Sequence, residues 1–156
     1  AALREGGEAL LEAATNVGAA ATAVGLAQAA FEAALRYSQQ RSAFGQPICQ
    51  HQAVQLKLAD MATATTAARL LTGRAAERLD ADPRDDAGAT MARLAAGETA
   101  YMVTLEAMRI HGGYGYTSEF PVERYYRDAA ALLVGPRDQA GERRRLAARW
   151  IEPSTR

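Results

Sequence analysis

The chain has 156 residues, enough for one domain with a real core. Hydrophobic residues make up 49% of it and aromatic ones only 6%, an alanine- and leucine-rich content suited to packed helices, so an all-α domain is expected. Eighteen basic residues balance eighteen acidic ones, which excludes a global field drawing the chain to nucleic acid or to an anionic membrane.

The single cysteine, Cys49, excludes an internal disulfide framework, and no Cys/His cluster has metal-ligand spacing, so no metal site is expected. No signal peptide and no uninterrupted apolar run of bilayer-spanning length is read. The expectation is a cytoplasmic protein without a membrane partner.

In chain order, residues 1–12 read as an entry segment, with Gly6 and Gly7 as a break, and residues 13–151 as a helical bundle within one domain over 1–156. The first residue is not methionine, and the chain is expected to be a piece of a longer protein. From Ala13 to Gln40, Val17, Ala20, Ala21, Val24, Gln28, Phe31 and Leu35 recur at helical intervals and predict the buried stripe. Gly45, Gln46 and Pro47 are expected to stop that helix, with the glycine as its C-cap.

A second helix is predicted from Gln52 to Leu79, with Val54, Leu58, Met61, Ala68, Leu71, Ala75 and Leu79 as its stripe and Thr65 bonding back to the preceding turn. The polar turn from Asp80 to Asp86 supplies aspartates to cap a third helix, Ala87 to Ile110, whose stripe is read as Met91, Leu94, Tyr101, Leu105 and Met108, interrupted by Glu98. Helices of similar length joined by short turns give an up-and-down antiparallel bundle. Shorter helices follow over Val122 to Leu133 and, after Gly135 and Pro136, over Glu142 to Ile151.

Two stretches carry chemistry. Ile110 to Asp128 leaves a helical pattern at Gly112, Gly113 and Gly115, where backbone without side chains can approach a ligand closely, and re-enters a helix after Pro121. Arg41, Phe44 and Gly45 end the first long helix. Locally, the glycines also fit a helix C-cap, Phe44 a buried anchor for the turn, and Arg41 a cap of the helix C-terminus.

The order Arg41-x-x-Phe44-Gly45, His51 to Met61, Ile110 to Thr117, Pro121 to Arg124 and Arg127-Asp128 resembles the C-terminal helical domain of acyl-CoA dehydrogenases, over about residues 13–129. The resemblance implies an antiparallel helical domain that mediates oligomerisation, homo- or hetero-oligomeric, and completes a binding site for FAD. It places Arg41 at the FAD pyrophosphate of a neighbouring subunit, where an always-charged guanidinium fork suits a diphosphate. It places Phe44 as an apolar wall, Gln52 near the adenosine end, and the backbone of Gly112 and Gly113 against the cofactor. Arg109 stands where the family usually has glutamine, keeping a donor and adding a charge. Gln52 fits a helix N-terminus equally well.

The family's reaction removes the α-proton of an acyl-CoA thioester with a carboxylate base while a hydride leaves the β-carbon for the flavin. The position matching the usual glutamate is Pro136, and the alternative position on the first helix is Thr15, followed by Asn16 where many members have an arginine. No catalytic residue is assigned on this basis. The resemblance then implies a subunit without its own base, or a competent dehydrogenase, oxidase or monooxygenase relative with a base displaced to Glu12 or Asp138.

Overall fold

The computed structural model describes residues 2–82, 85–134 and 139–151, as five α-helices with one two-stranded hairpin. Helix α1 spans Ala2–Gln40, α2 Gln52–Ala81, α3 Asp86–His111, α4 Val122–Val134 and α5 Gln139–Ala147. The all-α expectation is met; the hairpin, β1 (Ser42–Ala43) with β2 (Gln46–Pro47), is the only strand pairing among the described residues.

Residues 2–12 do not form a separate entry segment. Helix α1 runs unbroken through Gly6 and Gly7. An interior helical glycine costs only ~1 kcal/mol, and the strong helix formers Leu3, Arg4, Glu5, Glu8 and Leu10 flank the pair. The 39 residues make a rod about 58 Å long.

The core is built from small side chains, and this rotates the buried stripes from those read off the sequence. On α1 the expected Ala20 and Val24 are buried, together with Ala13, Asn16, Ala23, Ala27, Ala30, Ala33, Ala34 and Ser38, while Ala21 is exposed and Val17, Gln28, Phe31 and Leu35 are half-buried. On α3 they are Ala92, Ala96, Ala100, Val103, Ala107 and Ile110; of the expected set only Leu94 is buried. Alanine faces let two helices pack near the short end of the ~8–10 Å interaxial range, so the larger residues are pushed to the flanks. Helix α2 adds Met61, Ala68 and Ala75, as expected, with Val54, Leu58, Leu71 and Leu79 half-buried.

Thr65 does donate to the Met61 carbonyl at 2.8 Å, and Thr72 and Thr104 repeat the device toward Ala68 and Ala100. Asp85 caps α3, accepting from Gly88 N at 3.4 Å. Pro83, Arg84 and the predicted break at Gly135 and Pro136 lie outside the described residues.

Helix α1 also corrects the reading that no run could span a bilayer. Gly7–Gln40 is long and apolar enough by length and composition, with a hydropathy of 1.3. Its alanine face lies against α3 and α2, while 22% of that apolar window is buried within this chain.

Candidate functional site

The chain leaves α1 at Gln40, before the glycine expected to cap it. Arg41 N donates to the Tyr37 carbonyl at 2.9 Å, and Ile48 N to the Arg41 carbonyl at 2.8 Å, closing the base of the hairpin. At its tip Phe44 (φ 54°) and Gly45 (φ 83°) are both left-handed, the backbone of a two-residue turn matched to strand twist. Gly45 therefore serves the hairpin and not the helix end.

Phe44 is not a buried anchor: its side chain is 98% exposed. A phenylalanine that is held in a left-handed backbone and so exposed is a conformational outlier. His51 braces the tip, donating from Nε2 to the Ala43 carbonyl (3.1 Å) and accepting at Nδ1 from Gln46 (3.2 Å), with its ring edge-on to Phe44. The sequence reading gave His51 no role of its own, because its partners lie across the turn.

The second stretch begins as α3 ends. Gly112 has φ 61°, a conformation that favours glycine, and Gly112–Tyr116 forms a single 3-10 segment. A Cβ on Gly115 would lie 2.9 Å from Met108 Cα, so that glycine is required by packing. At Gly113 neither reason applies: its φ is unremarkable and a Cβ would meet no atom within 4 Å. The bareness of Gly113 is not demanded by the fold of this chain.

The hairpin base and the glycine segment meet around a cavity of about 460 Å³, lined among others by Tyr37, Arg41, His111, Gly112, Gly113 and Tyr114. Arg41 is exposed and has no carboxylate partner among the described residues. His111 is 2% exposed; its Nδ1 donates to the Ala107 carbonyl at 2.7 Å and its ring stacks on Tyr37, with Phe120 against both. Burial holds its imidazolium form down, outweighing the opposite pull of the Ala107 carbonyl.

Phe44 and Arg109 line an adjoining cavity of about 260 Å³, which shares Ile48 and Ile110 with the first. Arg109 pairs with Glu106, which also pairs with Lys57 of α2. Burial pushes the Glu106 carboxyl up, but the hydrogen bonds and charges of Lys57 and Arg109 outweigh it and hold it below the usual carboxylate range. Arg109 and Lys57 thus share a single carboxylate, and the trio keeps a net positive charge beside the cavity. Gln52 is exposed in the first turn of α2 and lines neither cavity.

At the far end of α1, Thr15 is exposed and donates to the Leu11 carbonyl at 2.7 Å, while Asn16 is 5% exposed. Glu12 is half-buried and ion-paired to Arg145 at 2.8 Å. Pro136 and Asp138 lie outside the described residues, and no group of three or more potential metal ligands exists among the described ones.

Fold and site define a helical domain that presents a cation, bare backbone and an exposed aromatic at one edge. The profile of "Acyl-CoA dehydrogenase, C-terminal domain" matches residues 10–136, and the chain belongs to that family. It is 52% identical over 114 residues to the mitochondrial short-chain specific acyl-CoA dehydrogenase of Bos taurus, covering 73% of this chain and 28% of that protein. It is 43% identical over 119 residues to the 3-(aryl)acrylate reductase of Clostridium sporogenes (strain ATCC 15579), covering 76% and 32%. The butyryl-CoA dehydrogenase of Megasphaera elsdenii superposes with a TM-score of 0.85 at 35% identity, over 91% of this chain and 37% of that one. The chain therefore spans about a third of the length of the proteins it matches.

Proposed function

We propose that this chain is the FAD-holding, oligomer-forming domain of a cytoplasmic flavoprotein acting on acyl-CoA thioesters, and that its subunit borrows the catalytic base from a sister subunit. The carrying observation is the cavity in which Arg41, without a counter-ion among the described residues, faces bare backbone at Gly112 and Gly113. These residues fit FAD. A guanidinium fork takes the diphosphate, Gly113 leaves the space a side chain would fill, and Phe44 and Arg109 supply an apolar and a donor flank, with Gln52 at the periphery.

When bound, FAD supplies the hydride acceptor for α,β-dehydrogenation. The residues named here bind and orient it. Because they lie on the outer edge of one bundle, the rest of the cofactor is held outside it, by a neighbouring subunit of the same or a sister chain or by other parts of a longer chain. The base-deficient reading draws support from Thr15, whose hydroxyl is engaged with its own helix, and from Glu12, whose carboxylate is held by Arg145. A general base contributes ~10²–10⁴-fold, so a subunit lacking one turns over very slowly.

The test uses the full-length subunit. Arg41→Ala should weaken FAD binding about 10- to 100-fold, the worth of a charge-assisted contact, without changing the unfolding midpoint; unchanged FAD binding would overturn the site. The isolated, FAD-saturated wild-type subunit should show no robust turnover of straight-chain, branched or steroid-derived acyl-CoA thioesters with an artificial acceptor. Turnover abolished by Glu12→Gln or Asp138→Asn would replace the base-deficient reading with that of a competent enzyme using a displaced base.

A further inference from the structure

His111 is the one histidine on the wall of the Arg41 cavity, and its two ring nitrogens differ. A carbonyl only accepts, so Nδ1, 2.7 Å from the Ala107 oxygen, must carry a proton. Burial disfavours a second one. The neutral ring then leaves Nε2 as a bare acceptor, and which nitrogen plays which part is fixed by the helix itself.

Nε2 has no partner among the described residues, and it is not one of the sealed, unpartnered polar atoms, so its lone pair opens to the cavity. The ring cannot swing away. Tyr37 lies flat against it with centroids 4.3 Å apart, and Phe120 closes another side at 5.1 Å. An acceptor held at one orientation on the cavity wall is preset to meet a donor on whatever the cavity takes.

We infer that His111 is a positioning residue for the ligand of this cavity: Nε2 accepts a hydrogen bond from a hydroxyl or amino donor flanking the diphosphate that Arg41 takes. The pair then reads two features at once, a diphosphate charge and a donor beside it, and so favours a dinucleotide over a bare diphosphate. This rests on the assignment of Arg41 to a diphosphate.

The experiment measures binding of FAD, and of inorganic pyrophosphate as its competitor, to the full-length protein as wild type, His111→Phe and Arg41→Ala. Phenylalanine keeps a flat ring on Tyr37 and removes the acceptor. His111→Phe should weaken FAD about five- to tenfold, the worth of one hydrogen bond, and leave pyrophosphate within about twofold. Parallel weakening of both would make His111 merely structural, and no change in FAD would overturn the inference outright. A second readout needs no variant: in protein labelled with ¹⁵N-histidine, the His111 Nε2 resonance should move on saturation with FAD but not with pyrophosphate. If Arg41→Ala alters neither ligand, the Arg41 assignment falls and the paired reading of diphosphate and donor falls with it; if Arg41→Ala weakens both ligands while His111→Phe leaves FAD unchanged, the His111 inference alone is overturned.

Discussion

Arg93 of α3 and Glu142 of α5 form an ion pair in which both side chains are under a tenth exposed, 9% and 3%. It is the buried member of a set that ties α5 and the turn after it to the bundle, with Arg143 to Glu98, Arg145 to Glu12 and, from that turn, Arg149 to Asp86 at more exposed positions. Helix α5 contributes almost no apolar surface to the core, so charge places it. Breaking a buried pair leaves an uncompensated charge and costs ~3–5 kcal/mol. Arg93 Nε and Glu142 Oε1 lack partners already, so the lower end applies. Glu142→Ala should cost about 3 kcal/mol in urea unfolding. Glu98→Ala, which breaks an exposed pair, should cost less than ~1 kcal/mol. Replacing both partners, Arg93→Met with Glu142→Leu, should recover most of the loss; equal losses for the exposed and the buried pair would refute the argument.

The hairpin tip sets stability against contact. Phe44 has a left-handed φ of 54° and is 98% exposed, so its backbone strain is offset by no burial within the chain. Asparagine tolerates that conformation. Phe44→Asn should therefore raise stability by about 1 kcal/mol in chemical denaturation while lowering flavin retention in the full-length protein. A destabilised Phe44→Asn would mean that the ring packs on this bundle after all.

Two neighbouring glycines should respond in opposite ways. A Cβ at Gly115 would press on the Met108 backbone, which cannot yield without disturbing the end of α3. Gly115→Ala should cost ~1–3 kcal/mol or more as an overpacking change. At Gly113 the space is open, so Gly113→Ala should stay within ~0.5 kcal/mol of wild type. Thermal unfolding of the two variants decides the point, and a flavin titration of Gly113→Ala shows whether that open space is used.

The stack of His111 on Tyr37 predicts a pH effect of definite sign. Burial lowers the pKa of His111 from its ordinary 6.5, so the unfolded chain binds this proton more readily than the folded one. The stability associated with neutral His111 is complete above 6.5 and is lost as pH falls through that value toward the lowered folded one. His111→Phe should remove this component: the midpoint difference between wild type and variant should narrow from pH 8 to pH 5. A difference that stays constant would show that His111 titrates alike in both states.

Much of this protein is determined locally. Alanine and leucine content, helical periodicity, the Asp85 cap and the Thr65 back-bond all follow from rules acting within four residues, and the ordered motifs from Arg41 to Asp128 pointed to the family. Tertiary structure decided what periodicity cannot rank. Alanines took the core positions because helix axes approach most closely over the smallest side chains, a comparison between two helices that neither sequence stripe contains. Gly6 and Gly7 stayed helical because their neighbours are strong formers. Phe44 faces solvent because a cross-turn pairing, Ala43 with Gln46, fixed the hairpin. Arg41, His111 and Gly113 share one cavity only because α1 and α3 lie side by side with their C-terminal ends together, bringing residues some seventy positions apart against a common wall.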